Sequence, residues 1–327
     1  MADSIDEKLY GTDLFGESLR PKVDGVVVRQ YLQPPFSVLN ARNGDWQDRK
    51  RAWIATGIES ELGREGGECI HMPNSKRVAY AGNVAAFDSI VVKSGTRETT
   101  DAQYVSIFDP VLCELMYTWF TGEGHVIVDP FAGGSVRGIV AGSLKRRYWG
   151  CDLRLEQVEE NQKQKLDIIP YADVEWVCGD ALDVLESSPE ADFIFSCPPY
   201  GDLEVYSDDP RDLSNMEYHT FIANYKRIIH RACKKLRHNR FACFVVGDFR
   251  DKKGYMRDFV SSTIQAFKEQ GLELYNEIML VTSVGSASMR VTKQFDAGRK
   301  VCKTHQNVLV FVKGGGKEAT NACKSVG

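Results

Sequence analysis

The segment HVIVDPFAGGSVRGIVAGSLKRRYWGCDL, His125 to Leu153, contains the pattern from which the fold class can be predicted. An apolar strand-like run reaches Pro130, and a turn containing Gly133 and Gly134 follows it. A helical run and a second strand-like run complete the segment, so the pattern is strand, helix, strand. Two strands joined by a helix lie parallel in one sheet, which predicts an α/β protein.

The same alternation continues along the chain. Further strand-like runs lie at 174–180, 191–196 and 241–249, and helical runs lie at 154–166 and 225–236. The last two strand-like runs, 274–282 and 307–314, are joined by a long polar loop and predict an antiparallel edge pair. We therefore expect a mostly parallel seven-stranded sheet that carries helices on both faces and an antiparallel hairpin at one edge.

The first hundred residues do not share this rhythm. We treat 1–100 as an extension of uncertain fold, with one helix near 48–58 and a polar linker near 94–100. A helix at 106–120, entered through Asp109 and Pro110, leads into the main domain. We assign this domain to 101–314, and 315–327 reads as a polar tail.

Composition limits the possible classes of protein. The 327 residues are 43% hydrophobic and 26% charged, and no apolar run approaches the roughly 20 residues of a membrane helix. The nine cysteines form no Cys-x-x-Cys pair, so we expect a cytoplasmic protein without disulfides, structural metal or membrane association. Because the formal net charge is -4, any nucleic-acid binding must depend on local basic patches.

Acidic residues follow three successive strands. Asp129 precedes the glycine pair and would suit a cationic ligand, Asp152 could accept hydrogen bonds from a ribose diol, and Asp180 could accept from an adenine amino group. The glycine turn matches neither a dinucleotide fingerprint nor a phosphate loop. Each feature alone also fits a ligand-free turn or a helix cap, but the series predicts a nucleoside pocket.

A second motif, SCPPY, ends the strand at 191–196. Pro198 and Pro199 donate no N–H and restrict the backbone, so nearby carbonyls can be held toward a substrate in advance. Tyr200 follows the two prolines and offers a flat aromatic face beside these carbonyls.

In this order, DPFAGG, GCDL, CGDAL and SCPPY resemble the S-adenosylmethionine-dependent DNA amino-methyltransferases, which modify adenine N6 or cytosine N4. The resemblance covers roughly 106–314 and implies a Rossmann-like class I methyltransferase fold. The N-terminal stretch PPFSVLNARNGDWQDRKRAW also resembles methylase-like proteins of phages and prophages. The implied S-adenosylmethionine site consists of Phe108, Asp109, Asp129, Pro130, Phe131, Ala132, Gly133, Gly134, Asp152, Asp180 and Ala181. The implied catalytic segment is Ser196, Cys197, Pro198, Pro199 and Tyr200. The resemblance implies that carbonyls near Pro198 activate an exocyclic amino nitrogen, whose lone pair is delocalised into the ring of the base, and that the extruded base stacks on Tyr200.

The chain departs from this family at Cys197, where aspartate, asparagine or serine is usual. Thiol sulfur is a weak acceptor, so the carbonyls could carry the activation, or Ser196 could reach the substrate instead. A third alternative is attack of the Cys197 thiolate on a pyrimidine ring before methylation at C5. Methylation of RNA or protein, and a DNA-binding regulator with a methylase fold, also remain open.

The predicted DNA contact is the loop between the last two strands. Its basic residues are Arg290, Lys293, Arg299, Lys300 and Lys303, and Asp296 is its single acid. A second basic run, 225–240, is typical of a solvated helix surface. The acidic segment 201–218 is expected to be a mobile loop near the target base. The oligomeric state and the recognised DNA sequence are not predicted.

Overall fold

The computed structural model describes residues 9, 11, 31–59, 108–201, 206–284, 288–289 and 291–324. Arg290 and the expected linker at 94–100 lie outside these residues. Within them, one eight-stranded sheet forms the centre of the protein. Its strands are β1 (Val38–Asn40), β2 (Val126–Asp129), β3 (Arg147–Asp152), β4 (Val174–Cys178), β5 (Ala191–Ser196), β6 (Leu236–Val246), β7 (Glu273–Val281) and β8 (His305–Lys313).

The strand order is β1-β7-β8-β6-β5-β2-β3-β4. Neighbouring strands are parallel except at β8, which runs antiparallel to both β6 and β7. This arrangement confirms the predicted Rossmann-like α/β fold, with its mostly parallel sheet and its antiparallel hairpin.

The predicted edge of the sheet needs a correction. The β7–β8 hairpin is not at the edge, because β1 pairs in parallel with β7, with Val38 opposite Met279 and Asn40 opposite Val281. The sheet therefore has eight strands where the sequence predicted seven. A strand of only three residues shows no alternation of apolar and polar side chains, so no local pattern marked it.

The helices are α1 (Gly44–Ala55), α2 (Pro110–Phe120), α3 (Val136–Ser143), α4 (Leu155–Ile168), α5 (Ala181–Val184), α6 (Tyr218–Lys235), α7 (Phe259–Lys268), α8 (Val291–Gly298) and α9 (Gly316–Lys324). The predicted cap of α2 is confirmed, since Asp109 accepts hydrogen bonds from the N–H groups of Val111 and Leu112. Much of the expected polar tail is the helix α9, in which Ala319 is buried.

Two apolar clusters cover the two faces of the sheet. In β5, Phe193 and Phe195 belong to the cluster beneath α2 and α3, whereas Ile194 belongs to the cluster beneath α6 and α7. The Tyr117 ring of α2 lies 5.4 Å from the Phe195 ring in an edge-to-face contact. Because neighbouring side chains of a strand point to opposite faces, β5 is apolar throughout, as expected for a central strand.

The helix α1 joins this domain through buried contacts with α2. Arg49 forms an ion pair with Glu114, and Trp53 Nε1 donates to Glu114 Oε2 at 2.8 Å. Trp46 and Trp53 are almost fully buried. The described part of the N-terminal extension thus packs beside α2 in the same layer of helices. It extends to the side of the sheet at which the carboxyl ends of the parallel strands lie.

Among the described residues, no helix is long and apolar enough to cross a membrane. The His, Cys, Asp and Glu side chains in this part of the chain form no group that could hold a metal ion.

Candidate active site

A cavity of about 470 Å³ opens at the carboxyl edge of the parallel strands. Its size is typical of a small-molecule site. The predicted residues that line it are Phe108, Asp109, Pro130, Phe131, Ala132, Gly133, Gly134, Asp152, Asp180, Ala181, Cys197, Pro198, Pro199 and Tyr200. The structure therefore brings the predicted cofactor motifs and the Cys-Pro-Pro-Tyr segment into one cavity. Of the predicted cofactor and catalytic residues, Asp129 and Ser196 do not line it.

Asp129 and Ser196 lie behind the cavity wall, which differs from the expectation that they face a ligand. Both are fully buried. Ser196 Oγ donates to Asp129 Oδ1 at 2.5 Å, and Tyr148 Oη donates to Asp129 Oδ2 at 2.7 Å. The Phe131 N–H donates to both side chains. The acid at the end of β2 thus organises the turn, and it has no contact with the cavity in this arrangement.

Arg137 on α3 neutralises Asp129 and was not singled out by the sequence. Its Nε lies 2.5 Å from Asp129 Oδ2, and its Nη2 donates to the carbonyls of Phe131 and Ala132. Burial alone would lower the pKa of Arg137, but the Asp129 carboxylate raises it above the ordinary value. The guanidinium also stacks on the Phe108 ring, 4.6 Å from its centre. Arg137 therefore fixes the turn and joins it to the entry of α2 as a charged group that stays protonated.

Asp152 holds the glycine turn from the neighbouring strand. Its Oδ2 accepts from the Gly133 N–H at 3.0 Å, and its Oδ1 accepts from the Arg154 N–H at 2.9 Å. Asn161 of α4 donates to the Gly133 carbonyl at 2.7 Å. Gly133 has a φ of 53°, a left-handed conformation that glycine adopts without strain. The turn is therefore fixed on both sides before any ligand binds, and the Asp152 carboxylate faces the cavity.

Asp180 caps α5, since its Oδ1 accepts from the Leu182 N–H at 2.8 Å. The preceding Gly179 has a φ of 155°, and a Cβ there would lie 2.5 Å from Val184 Cγ1. The half-exposed Asp180 side chain also lines the cavity. One carboxylate thus has a structural function at the start of a helix and an accessible position in the cavity.

At the end of β5, Cys197 is half-buried and Tyr200 is 7% exposed. The Tyr200 ring makes edge-to-face contacts with Phe249 and Phe259, and its hydroxyl accepts from Gln306 Nε2 at 3.0 Å. Tyr200 is therefore largely enclosed by its neighbours, and the stacking of a base on its ring remains a prediction. Gln306 lies at the start of β8, and its contact with Tyr200 could not be read from local sequence.

Other lining residues come from distant parts of the chain. Gln47 and Lys50 of α1 reach the cavity from the N-terminal side, and Arg154 and Gln157 reach it from the start of α4. The acidic segment after Tyr200 contributes Tyr206, Pro210, Arg211, Asp212, Leu213 and Met216. These residues share the cavity with the Cys-Pro-Pro-Tyr segment, whereas the expected mobility of the acidic segment and its expected location near a target base remain predictions. Gln47 and Lys50 lie in the N-terminal stretch that resembles methylase-like proteins, but the sequence assigned no site residue there.

The predicted basic residues form two groups. Lys293, Arg299 and Lys300 are exposed on or just after α8 and do not line the cavity. Lys303 is half-buried, and its Nζ donates to Asn307 Oδ1 at 3.2 Å. Burial lowers the pKa of Lys303, and nearby Asp248 acts in the opposite direction. Lys303 therefore does not share the open surface of the other described basic residues.

No protein-family model matches the sequence, and no curated protein matches it. Similar solved structures include TrmN from Thermus thermophilus, with a TM-score of 0.43 and 15% identity over 63% of this chain. That match spans 49% of the TrmN chain, about half its length.

Magnesium protoporphyrin IX methyltransferase from Synechocystis with bound SAM (S-adenosylmethionine) gives a TM-score of 0.39 and 12% identity, covering 59% of this chain and 71% of that one. A second Thermus thermophilus protein, proposed to be a DNA modification methylase, gives a TM-score of 0.31 and 20% identity. This match covers 42% of this chain and 52% of that one. Similarities at this level assign no activity to this chain.

Proposed function

We propose that this protein is a SAM-dependent methyltransferase that modifies an exocyclic amino nitrogen of a DNA base. One observation carries the proposal: Asp152, Asp180 and the glycine turn share a cavity with the Cys-Pro-Pro-Tyr segment. Methyl transfer from a nucleoside cofactor to an amino nitrogen requires a cavity with two adjacent parts. One part binds the nucleoside, and the other binds the amino group.

The donor set of the cavity suits SAM. In the proposed complex, the turn around Gly133 and Asp109 holds the methionine part, Asp152 accepts from the ribose hydroxyls, and Asp180 accepts from the adenine amino group. A carboxylate can accept several hydrogen bonds, so Asp152 can bind a diol while it holds the Gly133 N–H. Bound SAM would supply an electrophilic methyl group.

The other half of the cavity would hold and activate the substrate. The Ser196 hydroxyl is bonded to Asp129, which leaves the backbone carbonyls beside Pro198 and Pro199 as the preferred acceptors for the amino hydrogens. These acceptors would draw the nitrogen lone pair out of conjugation and toward the methyl group. Tyr200, held by Gln306, would pack against the extruded base and exclude water.

A nucleic acid is the proposed polymer because the exposed cations Lys293, Arg299 and Lys300 lie on the loop between β7 and β8, which includes α8. DNA is proposed in particular because the series DPFAGG, GCDL, CGDAL and SCPPY resembles the DNA amino-methyltransferases. The same loop continues to Gln306, which bonds to Tyr200. A phosphate-binding surface on this loop would therefore lie on the same stretch of chain as a residue that contacts the substrate half of the cavity.

Methyl transfer from labelled SAM to DNA, RNA or protein tests the function directly. We expect label in DNA, and nucleoside analysis should give N6-methyladenine or N4-methylcytosine. Label in RNA or protein would overturn the proposed polymer, and 5-methylcytosine would overturn the proposed atom. A protein that binds DNA but neither binds SAM nor transfers a methyl group would be a regulator with a methylase fold.

Asp152→Ala tests the cofactor half by calorimetry. Removing hydrogen bonds from a charged acceptor should raise the dissociation constant for SAM by about tenfold or more. Asp173→Ala is a matched control, since Asp173 is exposed and pairs with Arg147 at the start of β3. Equal affinity in the two variants would exclude Asp152 from the site.

A further inference from the structure

We propose that Lys50 of α1 binds the carboxylate of the amino-acid part of the cofactor, so that Lys50 and Asp109 together recognise an α-amino acid zwitterion. This inference rests on the proposed function and extends it to a residue of the N-terminal helix. Lys50 lines the cavity, and its side chain is only 8% exposed. An ammonium group this enclosed cannot reach the phosphates of a bound duplex without leaving its position.

The residues of α1 that face α2 form two pairs, and each pair contacts a different carboxylate. Arg49 and Trp53 contact Glu114. Trp46 and Lys50, which are also four residues apart, face Asp109 instead, with Trp46 Nε1 donating to Asp109 Oδ2 at 3.2 Å. Residues at this spacing lie above one another on a helix surface. The Trp46 contact thus fixes the face of α1 from which Lys50 reaches the cavity.

Lys50 lies at the glycine-turn end of the cavity. Its Nζ is 4.0 Å from Asp109 Oδ2, and the adjacent Phe108 ring lies under Arg137. Arg137 in turn donates to the carbonyls of Phe131 and Ala132, directly before the glycine pair. This series of contacts connects Lys50 to the turn that we assign to the methionine part of SAM.

The charges at this end complement an α-amino acid. Lys50 Nζ lies 4.0 Å from Asp109 Oδ2, so a cation and an anion stand side by side at this end of the cavity. A ligand carboxylate beside Lys50 and a ligand ammonium beside Asp109 would each gain a charge-assisted hydrogen bond. Asp109 is oriented in advance, because its Oδ1 caps α2.

Calorimetry with SAM and with decarboxylated SAM tests the assignment, because the second ligand lacks only the carboxylate. We expect the wild type to bind SAM about tenfold or more tightly than decarboxylated SAM. Lys50→Gln should weaken SAM binding by a similar factor and leave decarboxylated SAM unchanged, so that the ratio of the two dissociation constants approaches one. Lys50→Arg should keep most of the wild-type ratio.

Lys145→Gln is the matched control, since Lys145 is 60% exposed and pairs with Glu123 away from the cavity. It should leave both affinities unchanged. A Lys50→Gln protein that keeps the wild-type ratio would overturn the inference while the proposed function stands. If Lys50→Gln does not fold, the wild type still decides, because equal binding of the two ligands overturns the inference. A wild type that binds neither ligand would overturn the proposed function as well.

Discussion

Ser196 Oγ donates a 2.5 Å hydrogen bond to Asp129 Oδ1, which joins the ends of the neighbouring parallel strands β5 and β2 behind the cavity wall. The Phe131 N–H donates to both side chains, at 3.1 Å to Asp129 and at 3.2 Å to Ser196. The residue before Cys197 is therefore part of a buried network that supports the glycine turn. In this arrangement, Ser196 supports the wall of the cavity and does not face into it.

Ser196→Ala tests this separation. The change removes a donor from the buried Asp129 carboxylate, so we expect the free energy of unfolding to fall by about 1 to 3 kcal/mol. The turnover number at saturating substrate should stay within a few-fold of the wild type. Urea unfolding and initial rates measure the two effects. A large loss of turnover at unchanged stability would mean that Ser196 acts on the substrate directly.

Arg137→Met should be far more damaging to stability. It leaves the fully buried Asp129 without its cation, and breaking a buried ion pair costs about 3 to 5 kcal/mol. Arg147→Met is the matched control, because Arg147 and Asp173 form an exposed pair with the same 2.5 Å separation and should contribute less than about 1 kcal/mol. Urea unfolding at neutral pH compares them. Adding Asp129→Asn to Arg137→Met should restore part of the lost stability. Equal losses of stability in Arg137→Met and Arg147→Met would contradict the importance of the buried pair.

The basic loop should determine the salt dependence of DNA binding. Replacing Lys293, Arg299 and Lys300 with alanine should weaken binding and lower the slope of log affinity against log salt by about 0.9 for each lost phosphate contact. Cofactor affinity should not change. A triple alanine variant of Lys145, Arg147 and Lys163, exposed cations that have acidic partners, removes the same charge elsewhere. If the two triple variants have equal slopes, the DNA surface lies outside α8 and the residues after it.

His125 should make the protein less stable in mild acid. It is 7% exposed, and its Nδ1 accepts from the Gly122 N–H at 3.2 Å, an arrangement that requires an unprotonated Nδ1. Burial lowers the pKa of His125, and Arg240 and Arg146 lower it further against the opposing effect of Asp192. The unfolded chain therefore binds a proton at a higher pH than the folded protein does. Stability should be full above an unfolded pKa of about 6.5 and fall as the pH drops toward the folded value.

Urea unfolding at pH 7.5 and pH 5.5 measures this dependence. His125→Asn should reduce the loss of stability between the two values, because asparagine does not titrate there. The exposed His219 provides a control, and His219→Asn should retain the wild-type loss. An undiminished loss in His125→Asn would assign the acid sensitivity to other groups, such as His305, whose pKa burial also lowers.

The central strands and the end of the sheet at which the cavity opens were predictable because their signals are local. Alternating strand and helix patterns, a glycine pair and acids at strand ends are each contained in a few consecutive residues. The direction of the Asp129 side chain was not predictable, because it depends on Arg137, Tyr148 and Ser196 meeting from three different elements. The short strand β1 escaped detection since its pairing with β7 is entirely a long-range contact.

The same limit applies to charge. Lys303 and Lys300 are three residues apart and look alike in the sequence, yet one is half-buried beside Asn307 and the other is exposed. The sequence assigned no role to Lys50, and only the packing of α1 on α2 encloses its ammonium group. Composition identifies where cations are concentrated, but only tertiary packing decides which of them face water.

Cys197→Ser distinguishes activation of an amino nitrogen from attack on a pyrimidine ring. Cys197 lines the cavity and is half-buried, so either substrate could reach it. If the carbonyls beside Pro198 and Pro199 activate an amine, the serine variant should keep turnover within about tenfold, since the side chain then serves only in packing and orientation. If the thiolate adds to the ring, turnover should nearly vanish, because a neutral hydroxyl is a far weaker nucleophile. Cys302→Ser, a half-buried cysteine that does not line the cavity, is the matched control. We expect an active Cys197→Ser enzyme and a methylated amino nitrogen in its product. An inactive variant that still binds SAM and DNA, together with 5-methylcytosine as the wild-type product, would show instead that Cys197 attacks a pyrimidine ring.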